Sequence, residues 1–371
     1  MNFEFSEEQD LLREQAQGFL QDNSPLSVVR RVLNGDEPYD ADLWRKVSEM
    51  GWTATVIPEE YEGLGLSYLE LCVIAEELGR SLAPIPFSSS VYLATEAILL
   101  AGSEDQKSQY LPGLAAGSSI GCLAVAEMAG HTTPASITTS GDSSLNGTKV
   151  AVADGDIADF AIVIARSDAG DGATAYIAKL NQDGVARETV ETLDPSRSHA
   201  TLTFENASAE PLGLPGEGWS LVQQVYDRAA VLFAWEQVGG AQICLDMAKE
   251  YAMGRFAFGR PIASFQAIKH KLAHAYVKNT LARSNCYYGA WALSTGASEL
   301  PIAAATARVS SIQAYYYAAK ENIQTHGGMG FTWEFDCQFP YRRSKILATN
   351  IGSEAIWQDK LISAIQADRA A

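Results

Sequence analysis

The sequence predicts an α+β protein in three parts: an N-terminal helical domain (1–118), a small central β-sandwich or barrel (119–213) and a C-terminal four-helix bundle (214–371). Three observations carry this prediction. Apolar residues recur at helical spacing through about residue 118. From Ser119 they fall into short runs rich in Val, Ile and Thr, set apart by Gly, Asp, Asn and Ser. After Leu212-Gly213-Leu214-Pro215-Gly216 the helical period returns and persists. At 371 residues the chain exceeds what one hydrophobic core usually supports, so more than one layer is expected.

Ser6 is placed to cap a first helix, with Glu7, Glu8 and Asp10 in its first turn and Leu11, Leu12, Phe19 and Leu20 on one face. Trp44, Val47 and Met50 repeat that spacing up to Gly51. Residues 57–66 read as a loop punctuated by Pro and Gly, followed by a helix from Tyr68 to Leu78 that ends at Gly79. Gly102-Ser103 opens a helix over 106–114. Strands are expected at 120–126, 136–139, 149–152, 160–165, 174–178 and 200–204. Long helices then cover 219–254, 265–293, 301–326 and 353–368, with the short connections of a bundle.

Forty-five acidic residues against 27 basic ones give a net charge of −18. Such a surface repels nucleic acid, and no run of Lys and Arg offers a local exception. The five cysteines are scattered without a CxxC pair and the five histidines add no ligand spacing, so reduced thiols and no metal are expected. The N-terminus lacks the basic region of a signal peptide. The longest apolar run, Val91 to Ala101, is too short to span a membrane and is interrupted by Thr95 and Glu96. A soluble, cytoplasmic protein with no membrane partner is the expectation.

Two stretches carry chemistry. One is Arg255-Phe256-Ala257-Phe258-Gly259-Arg260-Pro261-Ile262, followed by Ser264-Phe265-Gln266; the other is Gln324-Thr325-His326-Gly327-Gly328-Met329-Gly330-Phe331. Both combine glycines with side chains suited to a phosphate-bearing cofactor. Arg255 offers a planar fork of donors to a pyrophosphate. Gly259, Gly327, Gly328 and Gly330 allow close backbone approach, and Gln266 and Gln324 each carry a donor and an acceptor. Taken singly, each has a plainer explanation: Gly327-Gly328 as a helix C-cap, and Arg255 as a surface residue closing a helix.

Together with Pro58-Glu59-Glu60-Tyr61-Glu62-Gly63-Leu64-Gly65, Glu76-Glu77-Leu78-Gly79, Gln106-Lys107 and Tyr110-Leu111-Pro112, these stretches resemble the acyl-CoA dehydrogenase family over essentially the whole chain. Phe331-Thr332-Trp333-Glu334 resembles a subgroup found in bacterial lipid and steroid catabolism. The resemblance implies a flavoprotein that uses FAD to desaturate an acyl-CoA thioester. It implies an electron-transfer flavoprotein or similar acceptor. It also implies that Arg255, Phe258 and Gln266, with Gln324, Gly327 and Gly328, reach the FAD of a partner subunit.

In that family a Glu removes the α proton while the β hydride goes to the flavin. Ile351 occupies the commoner position of this Glu, and Ile cannot accept a proton. Glu354, three residues on, reads as the start of the last helix. The alternative position, on the first bundle helix, falls on Ala229. Asp227 lies two residues earlier, rotated by about 200° on a helix. It reads as a first-turn acid facing solvent or Arg228. Glu236 shares the face of Ala229 two turns away, a buried acid in need of a partner. The family's flavin- and substrate-facing segments differ as well. Ala126-Glu127-Met128-Ala129-Gly130 lacks the family's Thr, and Val150-Ala151-Val152-Ala153-Asp154-Gly155 has neither an aromatic nor a hydroxyl side chain.

Residues that would serve a partner's flavin are thus present, while those that would serve the chain's own are missing. This implies one subunit of a heterotetramer whose other subunit, a second acyl-CoA dehydrogenase-like chain, brings the base. Alternatives are an autonomous homotetramer with a displaced base (Asp227 or Glu236), other chemistry such as desulfination of an acyl-CoA, and a CoA-binding or structural remnant without flavin.

Overall fold

The computed structural model describes residues 6–35, 37–141, 144–166 and 172–370; residues 1–5, part of the segment expected to carry no leader, lie outside them. Two compact units are present. One comprises Met1–Asn34, Tyr68–Ala83 and Ala230–Ala371, the other Gly35–Ser67 and Pro84–Ala229.

Along the chain, α1 (Glu7–Asn23) opens at a capping box: Ser6 Oγ accepts from Gln9 N, and Gln9 Oε1 accepts from Ser6 N. Then come α2 (Leu26–Leu33), α3 (Ala41–Glu49, capped by Asp40) and α4 (Tyr68–Ser81). A π-helix over Ser88–Thr95 runs into α5 (Glu96–Ala101), and α6 (Glu104–Ala115) starts at the Ser103 capping box. Strands β1 (Gly121–Ala124), β2 (Ser140–Gly141), β3 (Leu145–Ala153), β4 (Phe160–Arg166), β5 (Ala173–Lys179), β6 (Val185–Thr189), β7 (His199–Ala207) and β8 (Glu210–Leu212) follow. The last part is α7 (Gly218–Gly254), the short hairpin β9 (Phe256–Ala257) and β10 (Arg260–Pro261), α8 (Gln266–Thr295), α9 (Leu300–His326), α10 (Gln338–Leu347) and α11 (Glu354–Ala370).

In the first unit α1 packs on α4, α8 on α9, and α9 on both α10 and α11. The sequence places the end of α4 at Gly79, yet the helix continues to Ser81. Gly79 serves packing instead: a Cβ there would stand 1.9 Å from Glu236 O on α7, and one on Gly239 would stand 1.9 Å from Glu76 O. The two glycines let the α4 and α7 backbones touch. Gly296, left-handed at φ 60°, stops α8 and turns the chain back into α9.

In the second unit one sheet runs in the order β6-β7-β3-β2-β4-β5-β8, with β1 added parallel to β4. β4 and β5 are buried along their length except for the last residue, which explains their unbroken apolar runs. The strand expected at 136–139 does not form. Pro134 opens a 3₁₀ turn, Pro134–Ser136, and the Thr138 and Thr139 N–H groups donate to the Glu127 carboxylate rather than to a neighbouring strand. Only Ser140 and Gly141 pair.

Among the described residues no helix is long and apolar enough to cross a membrane, and no cluster of His, Cys, Asp and Glu could hold a metal. All five cysteines are buried and unbridged.

Candidate cofactor site at one end of the helical bundle

The two sequence stretches meet at one end of the bundle. Tyr251, near the end of α7, stacks on His326 at the end of α9, with ring centroids 4.2 Å apart. Lys271, in the second turn of α8, pairs with Glu321 near the end of α9 at 3.1 Å. The start of α8 and the ends of α7 and α9 are therefore neighbours.

Arg255 N continues the helical pattern by donating to Tyr251 O at 2.8 Å, and Ile262 N donates to Arg255 O at 2.8 Å, closing the hairpin at its base. Between them β9 and β10 pair, with Ala257 opposite Arg260. The two turn residues, Phe258 and Gly259, are both left-handed, at φ 53° and 75°. That is the two-residue turn whose twist suits a hairpin. Glycine adopts it freely; Phe does so at roughly 1 kcal/mol or more. The Phe258 ring is nevertheless 95% exposed, with the edge of Phe265 at 6.1 Å between centroids. A strained, solvent-facing aromatic gains nothing inside its own chain.

Phe265 precedes α8 at the N-cap position; its carbonyl accepts from Ile268 N and Lys269 N, but its side chain caps nothing, so the Gln266 and Ala267 N–H groups have no side-chain acceptor from it, and no acid occupies the first turn. The positive end of a 30-residue helix is thus open beside Arg255 and Arg260. The side chains of Arg255, Gln266 and Gln324 are exposed and make no hydrogen bond or ion pair within the described residues. Gly327 ends α9 at φ 60°. Gly330 is demanded by packing, since a Cβ would lie 2.5 Å from Ile323 O. Gly328 is demanded by neither: its φ is not left-handed and a Cβ would meet nothing within 4 Å. Its missing side chain leaves room for a group from outside the chain. Free donors, an open helix start and a bare backbone suit a pyrophosphate-bearing cofactor.

Ile351 is buried in the turn between α10 and α11. Its N–H donates to Asn350 Oδ1 (3.0 Å), and its carbonyl accepts from Trp357 Nε1 (3.2 Å). Arg308, fully buried on α9, clamps this turn. It donates to Asn350 Oδ1 at 2.7 Å, to Leu347 O, and to Gln237 Oε1 at 2.8 Å. Burial pushes the Arg308 guanidinium down to about 9, against the opposing pull of Glu236. Glu236 is fully buried on α7 and faces Arg343 at 3.9 Å. Arg343 is the partner that the sequence left unnamed. Glu354 heads α11 and accepts from Gln313 (2.7 Å) and Gln358 (2.9 Å).

In the second unit, Ala229 is fully buried and Asp227 is 8% exposed. α7 begins at Gly218, so Asp227 sits past its second turn rather than in its first, and is not solvated. Arg228 instead faces the buried carboxylate of Glu96 at 3.6 Å. The two departing segments lie side by side, with Val150 N donating to Ala126 O at 2.8 Å. A pair that sequence reasoning missed joins them. Lys149 donates to Glu127 at 2.7 Å and to Val125 O at 3.1 Å, and its side chain is wholly buried. Burial alone would raise the Glu127 carboxyl, but donors from Lys149, Thr138 and Thr139 hold it down to about 2. Burial pushes the Lys149 ammonium down to about 8. A lysine leading directly into the apolar run Val150-Ala151-Val152-Ala153 of β3 was the available signal.

Residues 6–118 match the family profile of the acyl-CoA dehydrogenase N-terminal domain and residues 216–365 that of its C-terminal domain. The chain is 36% identical over 339 residues to the acyl-CoA dehydrogenase IpdE2 of Mycobacterium tuberculosis, covering 91% of each. Its structure is similar to butyryl-CoA dehydrogenase from Megasphaera elsdenii, with a TM-score of 0.90 and 25% identity over 99% of this chain and 100% of that one. It is likewise similar to a variant of the Tcur3481–Tcur3483 steroid ACAD, with a TM-score of 0.88 and 26% identity over 98% and 99%.

Proposed function

The chain belongs to the acyl-CoA dehydrogenase family, and from that premise we propose that it is the non-basic subunit of a heteromeric, FAD-dependent acyl-CoA dehydrogenase. It completes the flavin site of a second, dehydrogenase-like subunit, and that subunit removes the substrate's α proton. One observation carries the proposal: Ile351, which by sequence resemblance takes the place of the family's base, is buried in a turn fixed by Arg308, while the outward-facing side-chain donors at the bundle end are unspent. The likeness to a steroid ACAD named as a pair supports a two-subunit enzyme.

Bound FAD would supply the hydride acceptor for α,β-desaturation of an acyl-CoA thioester. The chain's own part is binding and orientation. Arg255 and the open start of α8 neutralise pyrophosphate charge. Gly327 and Gly328 let the backbone approach the nucleotide, and Gln266 and Gln324 offer hydrogen bonds to its polar edges. Phe258, already held outward, covers apolar surface of the assembled site. An electron-transfer flavoprotein or similar acceptor would reoxidise the enzyme.

The test is to purify the chain alone and together with the second subunit, and to measure flavin content and acyl-CoA oxidation in each. The lone chain should be colourless and inactive, and the complex yellow and active. Oxidation by the lone chain, abolished by Asp227→Asn or Glu236→Gln, would instead establish an autonomous enzyme with a displaced base.

A further inference from the structure

A cavity of about 440 Å³ lies in the first unit, bounded by α7, the end of α9, the start of α2 and the loop before α10. Three carboxylates line it, Glu250, Glu334 and Asp336, and among the described residues no lysine or arginine does. Aromatic rings stand beside them. Tyr251 stacks on His326, and Phe335 meets the two at 6.4 and 6.0 Å between centroids, edge to face. Leu26 and Met247 supply hydrocarbon.

The negative charge is only partly answered within the protein. Arg30, one turn along α2 from Leu26, donates from Nε to Asp336 Oδ1 at 3.1 Å and from Nη1 to Trp333 O at 2.7 Å. The Glu250 carboxylate is exposed and makes no hydrogen bond or ion pair among the described residues. His326 is 6% exposed, and its Nδ1 lies 2.9 Å from Asn322 O. A carbonyl oxygen only accepts, so in the neutral ring Nδ1 carries the proton and Nε2 presents a lone pair. Nε2 has no hydrogen-bond partner among the described residues.

Such a lining selects by charge and by proton. An anion, a flavin pyrophosphate included, meets three carboxylates against the Arg30 guanidinium and is repelled. A neutral molecule leaves the Glu250 charge unanswered. A quaternary ammonium answers that charge but has no N–H for the imidazole. A primary ammonium donates to both, is attracted by aromatic faces, and carries a stem that apolar side chains can cover.

The geometry points to a binding site for a primary alkylammonium, with its N–H groups on Glu250 and His326 Nε2, its charge beside Tyr251 and Phe335, and its stem on Leu26 and Met247. The inference is independent of the flavin reading, since neither Arg255 nor Gly328 enters it.

Hexylamine is the probe, titrated by saturation-transfer NMR into the full chain as isolated. Physiological ionic strength screens the general attraction of a surface of net charge −18. Hexanoate and hexanol, of the same length but anionic and neutral, are the controls. Hexylamine should give a saturable signal that both controls lack. Glu250→Gln alters an exposed side chain and should fold; it should weaken binding roughly fivefold or more. Glu250→Lys, which places an ammonium in the cavity, should abolish binding. Glu188→Gln, at an exposed acid on β6 of the other unit, should leave binding unchanged. Absence of saturable hexylamine binding would overturn the assignment. So would equal binding of hexanol, binding unchanged in both Glu250 variants, or an equal loss in Glu188→Gln, which would reduce the signal to general surface attraction.

Discussion

Arg308 and Asn350 are joined by a 2.7 Å hydrogen bond inside the protein, and that bond sets the turn in which Ile351 sits. The guanidinium is fully buried and also holds Leu347 O and Gln237 Oε1. Truncating it would strand three acceptors at once. Arg308→Met should therefore destabilise the chain by about 3–5 kcal/mol, read as a fall in the urea midpoint. The same clamp makes the Ile351 position unreceptive to a charged side chain. Ile351→Glu should lower the thermal midpoint without conferring acyl-CoA oxidation on the lone chain, because a carboxylate there replaces a side chain that is 2% exposed.

Arg255 and Gly328 separate folding from cofactor retention. Neither side-chain position supports another part of the chain: the Arg255 guanidinium has no partner within the described residues, and a Cβ on Gly328 would meet nothing within 4 Å. Arg255→Ala and Gly328→Ala should leave the melting temperature of the flavin-free chain unchanged. In the assembled complex, Arg255→Ala should weaken flavin retention roughly 10- to 100-fold through loss of a charge-assisted contact. Gly328→Ala should do so by obstructing close approach. Unchanged FAD stoichiometry in both would remove the cofactor assignment.

The parts of the fold that were legible in the sequence are those whose local signals and tertiary role agree. Ser6 and Ser103 cap helices because each is followed by a glutamine that completes the capping box. The four long bundle helices carry their period for many turns. The π-helix over Ser88–Thr95 was not legible, because Ser88, Ser89, Ser90 and Thr95 are all buried and no polar face marks a period. β6 was missed for the opposite reason: it is exposed along most of its length and shows no alternation. Gly79 misled because a helix stop and a close helix crossing call for the same residue. At the site, Arg255 and the glycines could be read because their task faces outward. The Arg308 clamp and the Glu127–Lys149 pair depend on partners 20 or more positions away, which spacing alone does not reveal.

Glu127 closes the segment between β1 and β2 by accepting from Thr138, Thr139 and Lys149. Its folded carboxyl lies at about 2, below its ordinary 4.5. The contribution is therefore complete above pH 4.5 and is lost as the pH falls through about 2. Glu127→Gln should destabilise by about 2–4 kcal/mol at neutral pH, because the buried Lys149 ammonium loses its counter-charge. The double variant Glu127→Gln with Lys149→Met should cost less than the sum of the two single changes, measured as a double-mutant cycle in urea.

Glu77 behaves in the opposite sense. Burial, then the neighbouring Glu76 carboxylate, raises its carboxyl to about 6 from 4.5, although Gln17, Arg80 and Arg13 pull the other way. A carboxyl raised on folding binds more protons in the folded chain than in the unfolded one between those two values. Stability from this group therefore falls as the pH rises from 4.5 to 6 and stays low above that. The shift corresponds to about 2 kcal/mol once the pH exceeds both values. Glu77→Gln removes the penalty and keeps a polar side chain facing Gln17 and Arg80. The variant should match the parent protein at pH 4.5 and be more stable by about 1–2 kcal/mol at pH 7.5 in urea unfolding followed at both pH values. Equal stabilisation at the two pH values would show that packing, not ionisation, governs this position.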